Sequence, residues 1–403
     1  MKVETQRLID RFVGAPICRL LSLFYRRSHE PDGQVDAKRI LIILLSEMGS
    51  LILAYPMYQA LKKRFPDAAL HFLLFEKNRE VLELLEVTAP ENILTIGNDS
   101  MSKFAGDSFR VFRRMRQLNF DVVIDCELFS RISSIFSFFS GAPIRVGFHP
   151  YTQEGLYRGN FMNRPVLYNP YHHISQQFMT LAASIDSPCR PKAKRLVSEE
   201  TPAAPVISFD PKEIELSRQR LVAFAPAING KRMVLIYPGG GLLPIRAWPL
   251  DYYCRISAEL IRKGYTVAVI GLAEDKPLAR SIVSHCRNGN CIDLTGYTKT
   301  IRELMLIFHY AALLITNDGG PGQFAALTPI PTIVFFGPET PRLYGTMDAN
   351  AVNFYLSLSC SPCLTAYNHR NSPCDGDNQC LKKIRPEQVL ARAMEILEGQ
   401  GQP

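Results

Sequence analysis

The chain has 403 residues, 47% of them hydrophobic and 21% charged, with a formal net charge of +8. That composition excludes a disordered or low-complexity chain and supplies cores for two or three domains. No run of about 18 apolar residues occurs, so no transmembrane helix is expected, and the N-terminus lacks the apolar core and cleavage site of a secretory signal. The basic surplus suits an anionic partner. The basic residues are dispersed and no aromatic stacking motif accompanies them, so nucleic acid is not expected. Ten cysteines are scattered, Cys126 and Cys254 within predicted elements, as free thiols of a reducing cytosol are.

Residues 1–35 stand apart. Leu8, Ile9, Phe12, Val13, Ile17, Leu20, Leu21, Leu23 and Phe24 recur at roughly helical spacing among Arg7, Arg11, Arg19, Arg26 and Arg27. This predicts a basic amphipathic helix, lying either on an anionic membrane or on the body of the protein. A first domain follows over 36–210, with strands predicted at 40–45, 70–75, 92–96 and 121–126, each leading into a helix. Strand–helix alternation implies parallel sheets with right-handed crossovers. Residues 188–227, rich in Pro, Lys and Glu, hold a polar helix, and the connection between domains is placed at 211–230. A second domain occupies 231–403, with strands at 233–237, 265–270, 312–316 and 332–336 and helices at 250–263, 274–286, 300–310 and 321–327. Two doubly wound α/β domains facing a central cleft bind ligands at the carboxyl ends of their strands.

Three segments at such strand ends carry chemistry. In Ser46-Glu47-Met48-Gly49-Ser50, Gly49 permits a tight turn before a helix, for structural reasons or to admit a ligand. Tyr237-Pro238-Gly239-Gly240-Gly241 is followed by Arg246-Ala247-Trp248-Pro249. Its glycines let backbone approach phosphates, and Arg246 supplies a fixed charge. Trp248, the one tryptophan, anchors the next helix. In Asn317-Asp318-Gly319-Gly320-Pro321-Gly322-Gln323, a strand ends in an acid and then bare amides at a helix start, a nest for a diphosphate. Asp318 is placed to accept hydrogen bonds from sugar or ribose hydroxyls.

With the stretches ALKKRFPDAAL (60–70), PGGG…RAWP (238–249), GLAEDKPLAR (271–280), NDGGPGQFAAL (317–327) and FFGPETP (335–341), the chain from about Arg39 to Leu397 resembles glycosyltransferase family 9, the ADP-heptose:lipopolysaccharide heptosyltransferases. The resemblance implies a GT-B fold. It also implies a glycosyltransferase moving heptose or a similar sugar from a nucleotide diphosphate donor, ADP-heptose by resemblance, to a lipopolysaccharide core or related glycolipid. It places the donor diphosphate against Gly239, Gly240, Arg246, Asp318, Gly319, Gly320 and Gln323, the ribose on Glu274 or Asp275, and the base near Gly296–Thr298. The final helix is expected to return to the first domain. An enzyme of this kind is expected in the cytoplasm, peripheral on the inner face of the inner membrane.

This sequence departs from the family pattern at the first turn. Where the family has an Asp after the turn glycine, thought to be the general base, this chain has Ser50, whose hydroxyl cannot deprotonate an alcohol unaided. Glu47 then takes the role or merely caps its own turn, an acceptor phosphate takes it, or the protein is a weak or silent binder of a sugar nucleotide or glycolipid. The family's Thr-Gly and helix histidine are replaced by Gly319-Gly320 and Gln323. A nucleotide-sugar epimerase is a further alternative on the same fold. Catalysis is expected to need no cofactor. Cys360, Cys363, Cys374 and Cys380, near His369, have the spacing of a structural zinc site or serve as disulfides or free thiols.

Overall fold

The computed structural model describes residues 8–24, 35–45, 47–128, 130–149, 157–198, 203–365 and 371–399. Arg7, Arg26, Arg27, Ser46 and His369 lie outside them. The chain divides into two compact units, Met1–Pro202 and, in the main, Ala203–Pro403.

Each unit is built on a six-stranded, all-parallel sheet. In the first, β1 (Arg39–Ile43), β2 (Ala69–Phe75), β3 (Ile93–Ile96), β4 (Val122–Asp125), β5 (Ile144–His149) and β6 (Arg164–Leu167) run in the order β3-β2-β1-β4-β5-β6. In the second, β7 (Met233–Tyr237), β8 (Thr266–Val269), β9 (Cys291–Asp293), β10 (Leu313–Asn317), β11 (Thr332–Phe336) and β12 (Ala351–Tyr355) run in the order β12-β11-β10-β7-β8-β9. Both are doubly wound. The direction of winding reverses between β1 and β4 and between β7 and β10, which is where such sheets open a crevice for ligands. Strands β4, β7, β10 and β11 are buried at every position, as strands covered by helices on both faces must be.

The strands absent from the sequence reading are β5, β6, β9 and β12. Three of these finish or edge their sheets with only partial burial, and β6 carries Pro165, which edge strands tolerate. Short apolar runs of this kind give little periodic signal.

The N-terminal segment is helical, starting as a π-helix over Asp10–Gly14 and continuing as α1 (Ala15–Phe24). It packs on the body of the first unit, one of the two alternatives. Cys18 is fully buried with Ile135 and Phe161, and Ile17 and Leu21 pack around them. Asp10 caps another helix in trans: its Oδ1 accepts from the amides of Arg131 and Ile132 at 2.7 and 3.2 Å, and its Oδ2 pairs with the Arg131 guanidinium at 3.0 Å. The outward side keeps Leu8, Phe12, Leu20 and Leu23 exposed. Among the described residues no helix is long and apolar enough to cross a membrane.

Residues 211–230 do more than connect. Helix α2 (Pro211–Phe224) packs on helix α3 (Ile301–Phe308) inside the second unit, where Arg302 pairs with Glu213 at 2.7 Å. The last helix, α4 (Pro386–Gly399), also spends its buried face there, where packing on the first domain was expected. Val389, Ala393 and Leu397 join the apolar cluster around Trp248, Tyr253 and Phe335.

Candidate active site

In the second unit, the ends of β7 and β10 are drawn together by Asn317, the last residue of β10. Its fully buried amide oxygen accepts from the Trp248 backbone N–H at 2.9 Å and the Tyr253 hydroxyl at 3.0 Å, while Nδ2 donates to Gly239 O at 2.9 Å. One side chain thus sets the position of both the glycine loop and the Arg246 segment. Trp248 anchors as expected: Nε1 donates to Ile384 O at 2.9 Å, and the indole stacks on Phe335 at 4.4 Å between centroids.

The loop that Asn317 holds is closely fitted. The Tyr237 hydroxyl takes a hydrogen bond from the Gly241 backbone, and burial pushes its pKa up to about 12. A Cβ on Gly240 would lie 2.7 Å from Leu243 O and 2.8 Å from Pro244 Cα, and Gly241 sits in the left-handed region at φ +59°. A Cβ on Gly239 would meet the Tyr237 hydroxyl and an Asp275 carboxylate oxygen at 2.8 and 2.9 Å.

Arg246 is held between two carboxylates. Its Nε lies 3.5 Å from Asp318 Oδ2, and its Nη2 contacts Glu339 Oε2. All three groups are largely buried. Burial, reinforced by Asp318 and opposed by Arg246, pushes the Glu339 carboxyl up to about 8, so near neutral pH it keeps a proton. Burial penalises the Arg246 charge too, but Asp318 and Glu339 more than offset it and hold it protonated. The sequence reading gave Arg246 to phosphate alone and passed over Glu339. The signal for Glu339 was its place after the Gly337 turn at the end of β11.

Asp318, Gly319 and Gly320 lead into a short helix, α5 (Gly320–Ala325), with Pro321 in its first turn. Pro321 brings no N–H to the first turn, and the Gln323 amide bonds to Gly319 O at 3.4 Å. Gln323 is buried and donates from Nε2 to Tyr344 O at 3.0 Å, so it braces the α5 helix from inside. The two ribose candidates are separated. Asp275 accepts from its own turn's Leu272 N–H at 2.9 Å, whereas Glu274 is exposed. Gly296 donates to Gly271 O at 2.8 Å, which brings the segment expected near the base against that turn.

In the first unit, Glu47 stands at the N-cap of helix α6 (Met48–Leu53) yet makes no side-chain cap bond. Its Oε2 accepts instead from Ser50 Oγ at 3.3 Å, with Gly49 on the same turn. Two further groups at this edge went unread in the sequence. Glu127 Oε1 accepts from the Leu45 N–H at 2.7 Å, and Asn78 Nδ2 donates to Leu45 O at 2.7 Å, clamping the end of β1. Below them Asp125 is fully buried against Arg158 and Ser133, and burial pushes it up to about 6.

The four C-terminal cysteines carry free thiols. Burial raises the Cys380 thiol, with Cys363 and Cys360 near enough to add to the shift, while Cys374 Sγ turns to Asp375 and Asn378 at 3.8 and 3.9 Å. Among the described residues no group of three His, Cys, Asp or Glu is arranged to hold a metal ion.

The sequence profile of glycosyltransferase family 9 (heptosyltransferase) matches residues 108–372. Lipopolysaccharide heptosyltransferase 2 of Salmonella typhimurium is 23% identical over 90% of this chain and 99% of its own length. The Escherichia coli K12 protein of the same name is 22% identical over 89% and 98%. The solved structure of the E. coli ADP-heptose lipopolysaccharide heptosyltransferase II superposes with a TM-score of 0.68 at 19% identity, covering 90% of this chain and all of that one. That likeness shows the GT-B fold, two doubly wound Rossmann-like units. The chain belongs to glycosyltransferase family 9, the heptosyltransferase family, and is a glycosyltransferase.

Proposed function

We propose that this enzyme transfers a heptose, or a closely similar sugar, from its ADP derivative to a lipopolysaccharide core or related glycolipid at the cytoplasmic face of the inner membrane. The observation that carries this is the Arg246–Asp318 pair at the glycine turn leading into α5, in a chain that lipopolysaccharide heptosyltransferase 2 of Salmonella typhimurium matches over 99% of its own length. Arg246 and the amides of that turn hold the donor diphosphate, and Glu274 takes the ribose hydroxyls. The acceptor oxygen attacks the anomeric carbon, the bond from that carbon to the diphosphate breaks, and its electron pair leaves with ADP. Glu47 accepts the acceptor's proton, with Ser50 orienting its carboxylate. Rate acceleration comes from positioning and from stabilising the charge on the leaving diphosphate. We assign no cofactor to the reaction and no part in it to the C-terminal cysteines.

A thermal-shift series with ADP, UDP, GDP, CMP and dTDP tests the donor class, since a ligand of the folded state raises the melting temperature. Selective stabilisation by ADP is expected, and release of ADP from ADP-heptose with a core acceptor should follow. Selective stabilisation by another nucleotide overturns the donor assignment. Donor binding without turnover favours a silent relative, the reading that Ser50 keeps open.

A further inference from the structure

We infer that the face formed by α1, helix α7 (Met101–Leu118) and helix α8 (Arg131–Phe139) docks onto the surface of an anionic lipid bilayer, with the groove between α7 and α8 seating a lipid. This deepens the reading of a glycolipid acceptor, but it rests on a different part of the molecule.

The groove encloses about 620 Å³ and is lined by Phe112, Phe138 and Phe139 with Arg113, Arg116 and Gln117. Phe112 and Phe138 also pack on the buried cluster of Cys18, so α1 lies directly alongside. Phe109, 65% exposed, shares one α7 face with Arg113 and Arg116, four and seven residues on. On α1, Leu20 and Leu23 are 55% and 81% exposed. Apolar side chains of this size left in water across adjoining elements mark an interaction surface.

Charge selects the occupant. Among the described residues, the N-terminal helix, α7 and α8 together contain two carboxylates, and neither faces outward freely. Asp10 is tied to Arg131, and Asp107 accepts from the Gly97 N–H at 2.8 Å and pairs with Arg110. Arg11, Arg19, Arg113, Arg114 and Arg116 are exposed with no acid among them to neutralise them. An apolar face ringed by arginines matches the acyl boundary and phosphate layer of an anionic membrane. A second copy of the same basic face would repel it.

The test is sedimentation of the full chain with vesicles of mixed phosphatidylglycerol and phosphatidylcholine, against vesicles of phosphatidylcholine alone. Binding to the anionic vesicles that weakens with salt is expected. Arg113→Ser with Arg116→Ser should lower the partition coefficient roughly tenfold or more, and Leu20→Ser with Leu23→Ser should abolish pelleting. All four side chains are exposed, so circular dichroism and melting temperature should stay at wild-type values. Equal pelleting with both vesicle types, no pelleting, wild-type partition of both double variants, or concentration-dependent dimerisation through this face overturns the inference. The experiment needs neither donor nor acceptor, so it fails or succeeds independently of the transfer reaction.

Discussion

Ser50 Oγ donates to Glu47 Oε2 across 3.3 Å, one turn apart at the start of a helix whose N-cap residue leaves the capping role unused. The Ser50 hydroxyl is therefore attached to a neighbouring acid. Glu47→Gln should lower kcat by about 100-fold or more, the usual range for a lost general base. Ser50→Ala should cost less than about tenfold, because it loosens the carboxylate without removing it. Steady-state kinetics at saturating donor decides this, and wild-type rates in both variants would remove the first turn from the chemistry.

Glu339 supplies the pH dependence. Its folded pKa stands near 8, above the ordinary 4.5, because burial disfavours the charged form. The fold binds the proton more tightly than the unfolded chain does, so the stabilisation is complete below about pH 4.5 and is lost as pH rises through about 8. Melting temperature should fall over that window, and Glu339→Gln should flatten the fall. ADP affinity should decline as pH rises through about 8, where Glu339 ionises in the folded protein and competes with diphosphate for Arg246.

Asn317→Ala removes two accepted and two donated hydrogen bonds at a fully buried position. The stranded Tyr253 hydroxyl and Trp248 amide make a cost of about 2–4 kcal/mol the expected result in urea unfolding. Donor KM should rise with it, because the glycine loop loses its tether. Asn317→Asp keeps an acceptor oxygen but sets its second oxygen against the carbonyls of Gly239 and Tyr237 in a fully buried site, so its cost should be at least as large.

Gly240→Ala would push a methyl group into the backbone of Leu243 and Pro244. Fixed backbone cannot yield as a flexible side chain does, so the loop must shift. ADP affinity is expected to drop about tenfold or more, of the order of 1.4 kcal/mol. Gly230→Ala, with open space around it but a φ of +69°, is the matched control for backbone strain alone. Isothermal titration with ADP separates the two variants.

The sequence by itself determined the fold class, the central strands of both sheets, the glycine turns after β7 and β10, and the family; Gly49, read as a turn before a helix, lies within helix α6. These are written in local order: β7, β10 and β11 hold apolar runs at 233–236, 313–315 and 333–336, and Gly239 and Gly319 come two residues after their strands end. Tertiary structure alone decided what each charged residue faces. Arg246 and Glu339 are 93 residues apart in sequence yet in contact, and Asp10 caps a helix 121 residues away. Periodicity reports which face of an element is buried but not which element covers it. That is why the N-terminal helix read equally well as membrane-bound or packed, and why its two sides proved to have different surroundings. The edge strands β9 and β12 and the buried face of the last helix were settled the same way, by neighbours that no local pattern names.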